Sequence, residues 1–527
     1  MSALPPHALE FLRETVGVAD TPRPPVALEH VRLPTASLSA EGRRALCEAV
    51  GVEHVRDDHP ERVLHAAGKG YPDLVRLRAG APEGAPDAVL YPGTREELGE
   101  ALAACGRNSL AVVPFGGGTS VVGGVEPIRG AHEGVVAVDM SRLASVLELD
   151  ESSLTVRVQA GARVQELEEW LGGKGLTLGH FPQSYEYVSV GGCAATRSAG
   201  QASTGYGRFE GMVKGVRMCT PTGEIDLAAL PASAAGPSLR EVVVGSEGTL
   251  GIIDELSLRV RSAPAERVYE GVFFTTFGVG CEALRALAQH HLAPDVARLS
   301  DEVETRTSLA LAGSGGVKGR LGRTYLAARG YGGGCLAIFG FEGDGEEVAL
   351  RRHRALALVR NHGGLPVGRS PGEAWRKARF AAPYLRDELL TQGVMVETLE
   401  TATQWSNVQQ LHRRVGEAIQ QALLACGTPG LAMCHVSHLY ETGASLYFTF
   451  LASQLDGEEI AQWRAVKAAA SAAIVEGGGT ITHHHAVGRD HASWMEGEIG
   501  GEGVRALRAL KGELDPAGIM NPGKLLP

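Results

Sequence analysis

Up to about residue 84, apolar positions follow no sustained period among many prolines, charges and histidines. That pattern predicts short helices and loops leading into a first compact domain. At Ala88 the rhythm changes. Ala88-Val-Leu-Tyr91 is a short apolar run closed by Pro92-Gly93, a strand with its stop. Thr94, with Glu97 three residues on, writes a capping box, so a helix follows. Strands are predicted over Leu110–Pro114 and Val135–Val138, with a hairpin joining Val146–Leu149 to Leu154–Val158 across Asp150–Ser153. Val164–Leu171 is amphipathic at helical spacing and stops at Gly172-Gly173.

Past Val260-Arg-Ser262 the rhythm shifts again. Strand-like runs at Val268–Phe274, Cys335–Phe341 and Ser445–Phe450 alternate with long helical patterns, among them Glu346–Asn361 and Glu459–Glu476. This predicts an antiparallel sheet covered by helices. Gly503–Leu514 reads as a helix ended by Asp515-Pro516. No internal repeat is present.

Composition narrows the class. A chain of 527 residues exceeds one core and predicts two or three domains. With 44% apolar and 21% charged residues it is not a disordered chain. The net charge of −11 argues against a nucleic-acid partner, which requires a basic face to neutralise phosphates. The eight cysteines include no C-x-x-C pair and are expected to be reduced. The amino terminus lacks a signal-peptide pattern, and no apolar stretch is long enough for a membrane span, so a cytoplasmic protein is expected.

The densest chemical signal is Pro114-Phe-Gly-Gly-Gly-Thr-Ser120. Three consecutive glycines after a strand expose backbone N–H groups and permit positive φ, as in an anion nest that approaches a pyrophosphate; Thr119 and Ser120 add hydroxyl donors. No Lys-Ser/Thr follows, as a Walker loop requires, and no helix opens on the last glycine, as in a Rossmann fingerprint. A single glycine triplet could equally be a plain turn. Three further loops change that reading: Gly179–Ser184, Ser189–Gly200 and Gly245–Gly251. Together they suit a long dinucleotide lying across several loops.

The run PFGGGTS, the segment VGG-x-x-x-T-R-S-A-G, GSEGTLG and the terminal Asp515–Lys524 stretch together resemble the vanillyl-alcohol-oxidase-type, or PCMH-type, FAD-binding flavoproteins. The resemblance covers nearly everything from about residue 55 onward. It implies an FAD whose pyrophosphate sits on Pro114, Phe115, Gly116, Gly117, Gly118, Thr119 and Ser120. Gln183, Ser184, Ser189, Gly191, Gly192, Thr196, Arg197, Ser198 and Ala199 would wrap the rest of the cofactor, with Glu247, Gly248, Thr249, Leu250, Gly251 and Ile252. Some relatives bind the flavin covalently through a histidine at the place of Gly118, so non-covalent FAD is expected. The implied fold is α+β: a two-subdomain PCMH-type domain at 85–264 after the lead-in 1–84, an antiparallel-sheet cap at 265–485, and a C-terminal helical segment at 486–527 that packs on the FAD domain.

The second half resembles the alkylglycerone-phosphate synthase branch. The residues concerned are His483-His-His485, Tyr447 in an alternating strand, Ala297-Arg-Leu-Ser, Tyr384-Leu-Arg-Asp387 and Glu397-Thr-Leu-Glu-Thr with Trp405. The resemblance assigns Tyr447 the removal of a substrate proton, and His483, His484 and His485 a required cluster around it. Arg386 would bind the substrate phosphate, and Arg298 and His180 would be needed for activity. It implies redox-neutral replacement of an acyl group by a fatty alcohol on acyl-dihydroxyacetone phosphate, by way of a flavin N5 adduct. It also implies a lipid-like anionic substrate, a homodimer and peripheral membrane contact. A tyrosine base requires nearby cations to favour phenolate, and an imidazolium would serve. Arginine suits phosphate through its planar fork.

Other readings of the same residues stay open. Tyr447 could be core or rim, His180 a loop support, and Arg386 part of a charged helix face with Arg376, Lys377 and Arg379. Three adjacent histidines could form a solvated loop, or a metal site with His491 or with His435 and His438. Adjacent residues rarely converge on one ion, and no carboxylate spacing supports it, so no metal is expected. Cys434 beside His435 invites a reactive thiol, without any base placed by sequence. The alternative activity is an FAD-linked oxidase or dehydrogenase of a 2-hydroxy acid or alcohol, with hydride passing to flavin N5.

Overall fold

The computed structural model describes residues 4–313 and 317–527, and the chain divides into two compact units interleaved in sequence. A glycine-loop unit comprises Pro25–Gly200, Arg208–Ser262 and His484–Pro527. A cap unit comprises the residues up to Pro24, Gln201–Gly207 and Ala263–His483. The lead-in read as one piece is therefore shared between the two, and the division near the histidines falls between His483 and His484.

In the glycine-loop unit, β1 (Val55–Arg56), β2 (Ala88–Leu90), β3 (Leu110–Phe115) and β4 (Gly134–Asp139) form a sheet in the order β1-β2-β4-β3. The β2–β4 and β3–β4 pairs are parallel, so β2 and β3 need a crossover, and the helix Arg95–Arg107 makes it. Thr94 Oγ1 accepts from Glu97 N at 3.1 Å, while the Glu97 carboxylate accepts from Gly93 N at 2.6 Å. Such a cap stabilises a helix by about 1 kcal/mol. The helix buries Leu98, Ala101, Leu102 and Cys105 against Leu90, Val112 and Val136. Pro114 is tolerated because β3 ends this sheet. Along β3, Val112 N donates to Ile519 O and Asn521 N to Val112 O, both at 2.8 Å. The C-terminal segment, expected to be helical, thus ends in turns bridged to β3 at Met520; its helix, Met495–Leu514, breaks at Gly500, where φ is +74°.

The same unit holds β5 (Val146–Asp150), β6 (Thr155–Gln159), β7 (Leu176–Thr177), β8 (Val213–Thr220), β9 (Gly223–Leu227), β10 (Ile252–Arg259) and β11 (Arg261–Ser262). Five of them make an antiparallel sheet in the order β5-β6-β10-β8-β9, and β7 pairs with β11. Two sheets carrying the glycine loops between their strands match the two-subdomain expectation.

The cap unit is built on β12 (Glu266–Phe274), β13 (Val296–Ser300), β14 (Cys335–Gly343), β15 (Leu365–Gly368), β16 (Val394–Gln404), β17 (Leu431–Leu439) and β18 (Gly443–Ser453). They form an antiparallel sheet in the order β15-β12-β14-β13-β17-β18-β16. The polar strands β16 and β17 escape a hydrophobic-pattern search because Glu397, Glu400, His435 and His438 occupy buried positions in them. The helix Val408–Ala425 lays down Val408, Leu411, Val415, Ile419 and Leu423 at helical spacing, all buried. The amino-terminal helix Pro6–Thr15 buries Ala8 and Leu12 in a cluster with Leu389, Val394 and Leu451. Among the described residues no helix is long and apolar enough to cross a membrane. All eight cysteines are free thiols.

Candidate active site

The glycine-loop unit shapes a cradle at the end of β3. A Cβ on Gly116 would overlap Ser189 Oγ, and one on Gly117 would overlap the backbone oxygen of Tyr187. Gly118 has φ +63°, and a Cβ there would lie 2.6 Å from the Phe115 ring. A larger residue at 118 has neither the backbone conformation nor the room, so no side chain is available at that place for a covalent flavin link. Phe115 itself rests on His65, with ring centroids 4.4 Å apart, and His65 Nε2 pairs with Asp139 at 2.9 Å. Ser120 Oγ accepts from Gly124 N at 2.9 Å and its carbonyl from Lys69 N at 2.6 Å. These bonds hold the loop open without using the N–H groups of Gly116–Gly118.

The other loops are tied to the same place. Ser189 Oγ caps the short helix Val190–Ala195 by accepting from Gly192 N at 3.1 Å. Thr196 donates to Gly192 O at 2.8 Å, and Arg197 Nε donates to Val244 O at 3.0 Å. Glu247 accepts from Val487 N at 2.8 Å and Gly488 N at 2.7 Å, while Asn521 Nδ2 donates to Glu247 O at 2.7 Å and Gly124 O at 3.1 Å. Thr249 Oγ1 donates to Ser246 O at 2.7 Å. Thr196, Arg197, Glu247 and Thr249 therefore use these polar atoms to shape loops, which leaves backbone groups to meet a ligand. Gly191 lies tight on Ala160 and Gly251 on Cys219; Ala199, Leu250 and Ile252 are buried. Gln183 is exposed, Ser184 and Ser198 half-buried, and Ser198 Oγ lies 3.1 Å from Nε2 of the fully buried His180. Ser246 Oγ is buried with no hydrogen-bond partner among the described residues. A cradle free of Cβ atoms, ringed by tied loops and with an orphaned hydroxyl, fits the pyrophosphate and backbone-contacted parts of FAD.

The cap unit carries a second cluster. On β18, Tyr447 stands opposite Glu400 of β16 and His435 of β17. Its ring stacks on His435, with centroids 4.9 Å apart and planes 23° from parallel. Burial pushes the phenol up to about 12; a hydrogen bond from Thr398 opposes this, Glu400 and Glu397 add to it, and Arg386 again opposes it. Arg386 sits on the helix Ala382–Thr391, apart from Arg376 and Lys377 on Arg369–Ala378, and its buried Nε has no hydrogen-bond partner among the described residues. The imidazole stacked on the tyrosine is His435, whose pKa is lowered by burial and then by Arg298. The cation that favours phenolate is Arg386.

Arg298 on β13 reaches His435 Nε2 with Nη1 at 2.9 Å and Glu304 Oε1 with Nη2 at 2.8 Å; His435 Nδ1 also bonds Glu304 Oε1, at 3.0 Å. Burial would raise the Glu304 carboxyl, but Arg298 and His435 outweigh it and hold it at about 2. His483 Nε2 lies 2.6 Å from the Tyr440 hydroxyl and its ring centroid 5.0 Å from His438. Glu400 anchors that loop by accepting from His483 N and, at 2.7 Å, from Thr482 Oγ1. His484 and His485 belong to the glycine-loop unit, edge to face with centroids 4.7 Å apart. Burial raises the Cys434 thiol far above its ordinary range, which removes the case for a reactive thiol. Sequence reasoning missed Glu304 and Tyr440, gave Thr398 and Glu400 no role beyond the resemblance of the Glu397–Thr401 run, and weighed His435 only in a metal alternative and beside Cys434, because strand register creates this group.

Comparison with known proteins agrees with both halves. Residues 86–227 match the FAD binding domain family, and residues 263–525 match the family of FAD linked oxidases, C-terminal domain. The alkyldihydroxyacetonephosphate synthase of Dictyostelium discoideum is 32% identical over 96% of this chain and 84% of its own length. The chain belongs to the alkyldihydroxyacetonephosphate synthase family. The synthase of Trypanosoma brucei brucei is 31% identical over 99% of this chain and 87% of its own. A solved alkyldihydroxyacetonephosphate synthase structure superposes with a TM-score of 0.85 at 29% identity, covering 98% of this chain and 92% of that one. The chain is thus an FAD enzyme of the synthase type.

Proposed function

We propose that this member of the synthase family exchanges the acyl group of an acyl-dihydroxyacetone phosphate for a long-chain alcohol. The ester C–O bond at the substrate methylene breaks, the acid leaves as carboxylate, and the alcohol oxygen, having lost its proton, bonds to the same carbon. No net electrons are gained or lost. Bound FAD supplies a flavin ring that can share an electron pair with that carbon. The observation that carries the reading is Arg386, whose buried Nε has no partner among the described residues and whose charge acts on Tyr447. A guanidinium with an open donor holds a phosphate by charge-assisted hydrogen bonds. Tyr447, hydrogen-bonded by Thr398, is the group that takes or returns the proton at the ketone-activated methylene. His483, paired with the Tyr440 hydroxyl, provides a second proton site in the cap unit, with His484, His485, Arg298 and His180 in supporting roles. Homodimeric assembly, a cytoplasmic location and contact with a bilayer surface complete the proposal; the last follows from the apolar chains of the substrates.

The test is incubation of the FAD-loaded protein with an acylated dihydroxyacetone phosphate and a labelled long-chain alcohol. The expected result is equimolar labelled ether product and free fatty acid, with no lasting bleaching of the flavin. Absence of exchange, together with bleaching by a 2-hydroxy acid or a simple alcohol, would make the protein an oxidoreductase instead.

A further inference from the structure

Among the polar groups buried in the cap unit, His435 has bonds that permit one protonation state. The Arg298 guanidinium has no acceptor atom, so the 2.9 Å approach of Nη1 makes His435 Nε2 the acceptor. The proton of the neutral ring then lies on Nδ1 and is donated to Glu304 Oε1 at 3.0 Å. Glu304 closes the triangle by accepting from Arg298 Nη2 at 2.8 Å. The Tyr447 ring lies on the face of the same imidazole. β13 and the start of the helix Glu302–Leu311, consecutive in the chain, thus meet the distant strand β17 beneath the tyrosine.

We infer that His435 is a positioning residue, held as the Nδ1–H tautomer between Glu304 and Arg298 so that it aims the Arg298 guanidinium and carries the Tyr447 ring. The inference rests on the exchange reaction proposed above. Protonating His435 would direct an Nε2–H at an Arg298 N–H, so the ring and the guanidinium would part. Arg298 faces the ring from β13, Glu304 and Asp301 from the helix side, and the Tyr447 phenol from β18. Asp301 is itself engaged by Cys434 N at 2.9 Å and His412 Nε2 at 3.2 Å. Burial and Arg298 depress the imidazole while Glu304 and Asp301 pull it back, with depression the net direction. An acid limb of activity below the ordinary histidine range follows.

The test compares wild type with His435→Gln and His435→Leu, each loaded with FAD. Glutamine can accept from Arg298 and donate to Glu304 but cannot be protonated near neutral pH. The expected result is that His435→Gln loses the acid limb, so its rate at pH 5.5 relative to pH 7.5 rises several-fold. His435→Leu, which releases Arg298, should lower the exchange rate about 10–100-fold at unchanged flavin occupancy, the scale of a misplaced reacting group. Nitrogen-15 spectra of histidine-labelled protein supply a readout independent of turnover: the signal missing in His435→Gln should show a neutral Nδ1–H ring at pH 6.5. An unchanged acid limb in an active His435→Gln enzyme would overturn the inference, and so would an Nε2–H tautomer or a charged ring at pH 6.5. Wild type without exchange activity would instead overturn the reaction, leaving the spectra to judge the tautomer.

Discussion

Arg386 and Tyr447 answer to different chemical demands, and the difference is measurable. A buried guanidinium donor without a protein partner contributes most when an anion supplies the missing acceptor. A charge-assisted hydrogen bond contributes about 1.5–3 kcal/mol, or roughly 10–100-fold in binding. Arg386→Ala should therefore raise KM for the phosphorylated ketone by about that factor, while a neutral analogue lacking the phosphate loses little. Equal losses on both substrates would show that Arg386 supports the helix Ala382–Thr391 rather than the ligand. Alternation places Tyr447 on one face of its strand and the family resemblance singles it out, but neither shows what surrounds it. Thr398, Glu400 and His435 reach it from two other strands, and their spacing in sequence says nothing of that register.

At the level of elements, the glycine loop works because three strand-end residues lack Cβ atoms where neighbouring backbone passes. Gly117 is the most constrained, since a methyl group there would overlap a main-chain oxygen of Tyr187 that cannot rotate away. Gly117→Ala should cost about 1–3 kcal/mol, the usual price of overpacking. It should also reduce FAD retention after gel filtration at least about tenfold, since the same shift displaces the cradle. Gly99, inside the helix Arg95–Arg107, has nothing within 4 Å of its would-be Cβ. Gly99→Ala should instead stabilise by about 0.5–1 kcal/mol with full flavin content. Absorbance per protein and a melting curve on the two variants separate cradle geometry from general glycine effects. A fully flavinated Gly117→Ala protein would show that the loop yields more readily than its packing implies.

Across the whole molecule, several buried acids make stability depend on pH. Burial, followed by hydrogen bonding to Glu126 and its charge, pushes Asp73 up to about 8, and burial raises Glu247 to about 7 despite two backbone donors. A carboxyl whose folded pKa is raised binds its proton more tightly in the native state. Stability is then greatest below the ordinary carboxylate range and declines as pH rises toward the folded value. Lys524, lowered to about 8 chiefly by burial, acts in the opposite sense only above that value. The melting temperature of the FAD-loaded protein should therefore fall between about pH 5 and 8. Asp73→Asn keeps an acceptor for Gly70 N, bonded at 3.2 Å, and a donor for Glu126, but no titrating proton. It should flatten that slope and melt a few degrees above wild type at pH 8. Parallel slopes would locate the titration elsewhere. Glu304 does not enter this window, because Arg298 and His435 hold it at about 2.

Much of this protein is written in short-range chemistry. The Thr94–Glu97 cap, the β5–β6 hairpin and the glycine runs that precede φ-positive turns depend on residues within a few positions of each other, so they are legible in the chain. The glycine cradle is partly of this kind: its consecutive glycines after a strand are visible in the chain, but only the further loops and the family resemblance make FAD its expected occupant. The proton-handling cluster is of another kind. Arg298 and His435 are separated by 137 positions, and Glu304 and His435 by 131. They meet because β13 pairs with β17 and β17 with β18 in one register, which a one-residue slip would reverse face for face. Whether an imidazole is charged, a carboxylate pinned or an arginine left with an open donor then follows from burial and neighbours. Those are properties of packing, to which local sequence is blind.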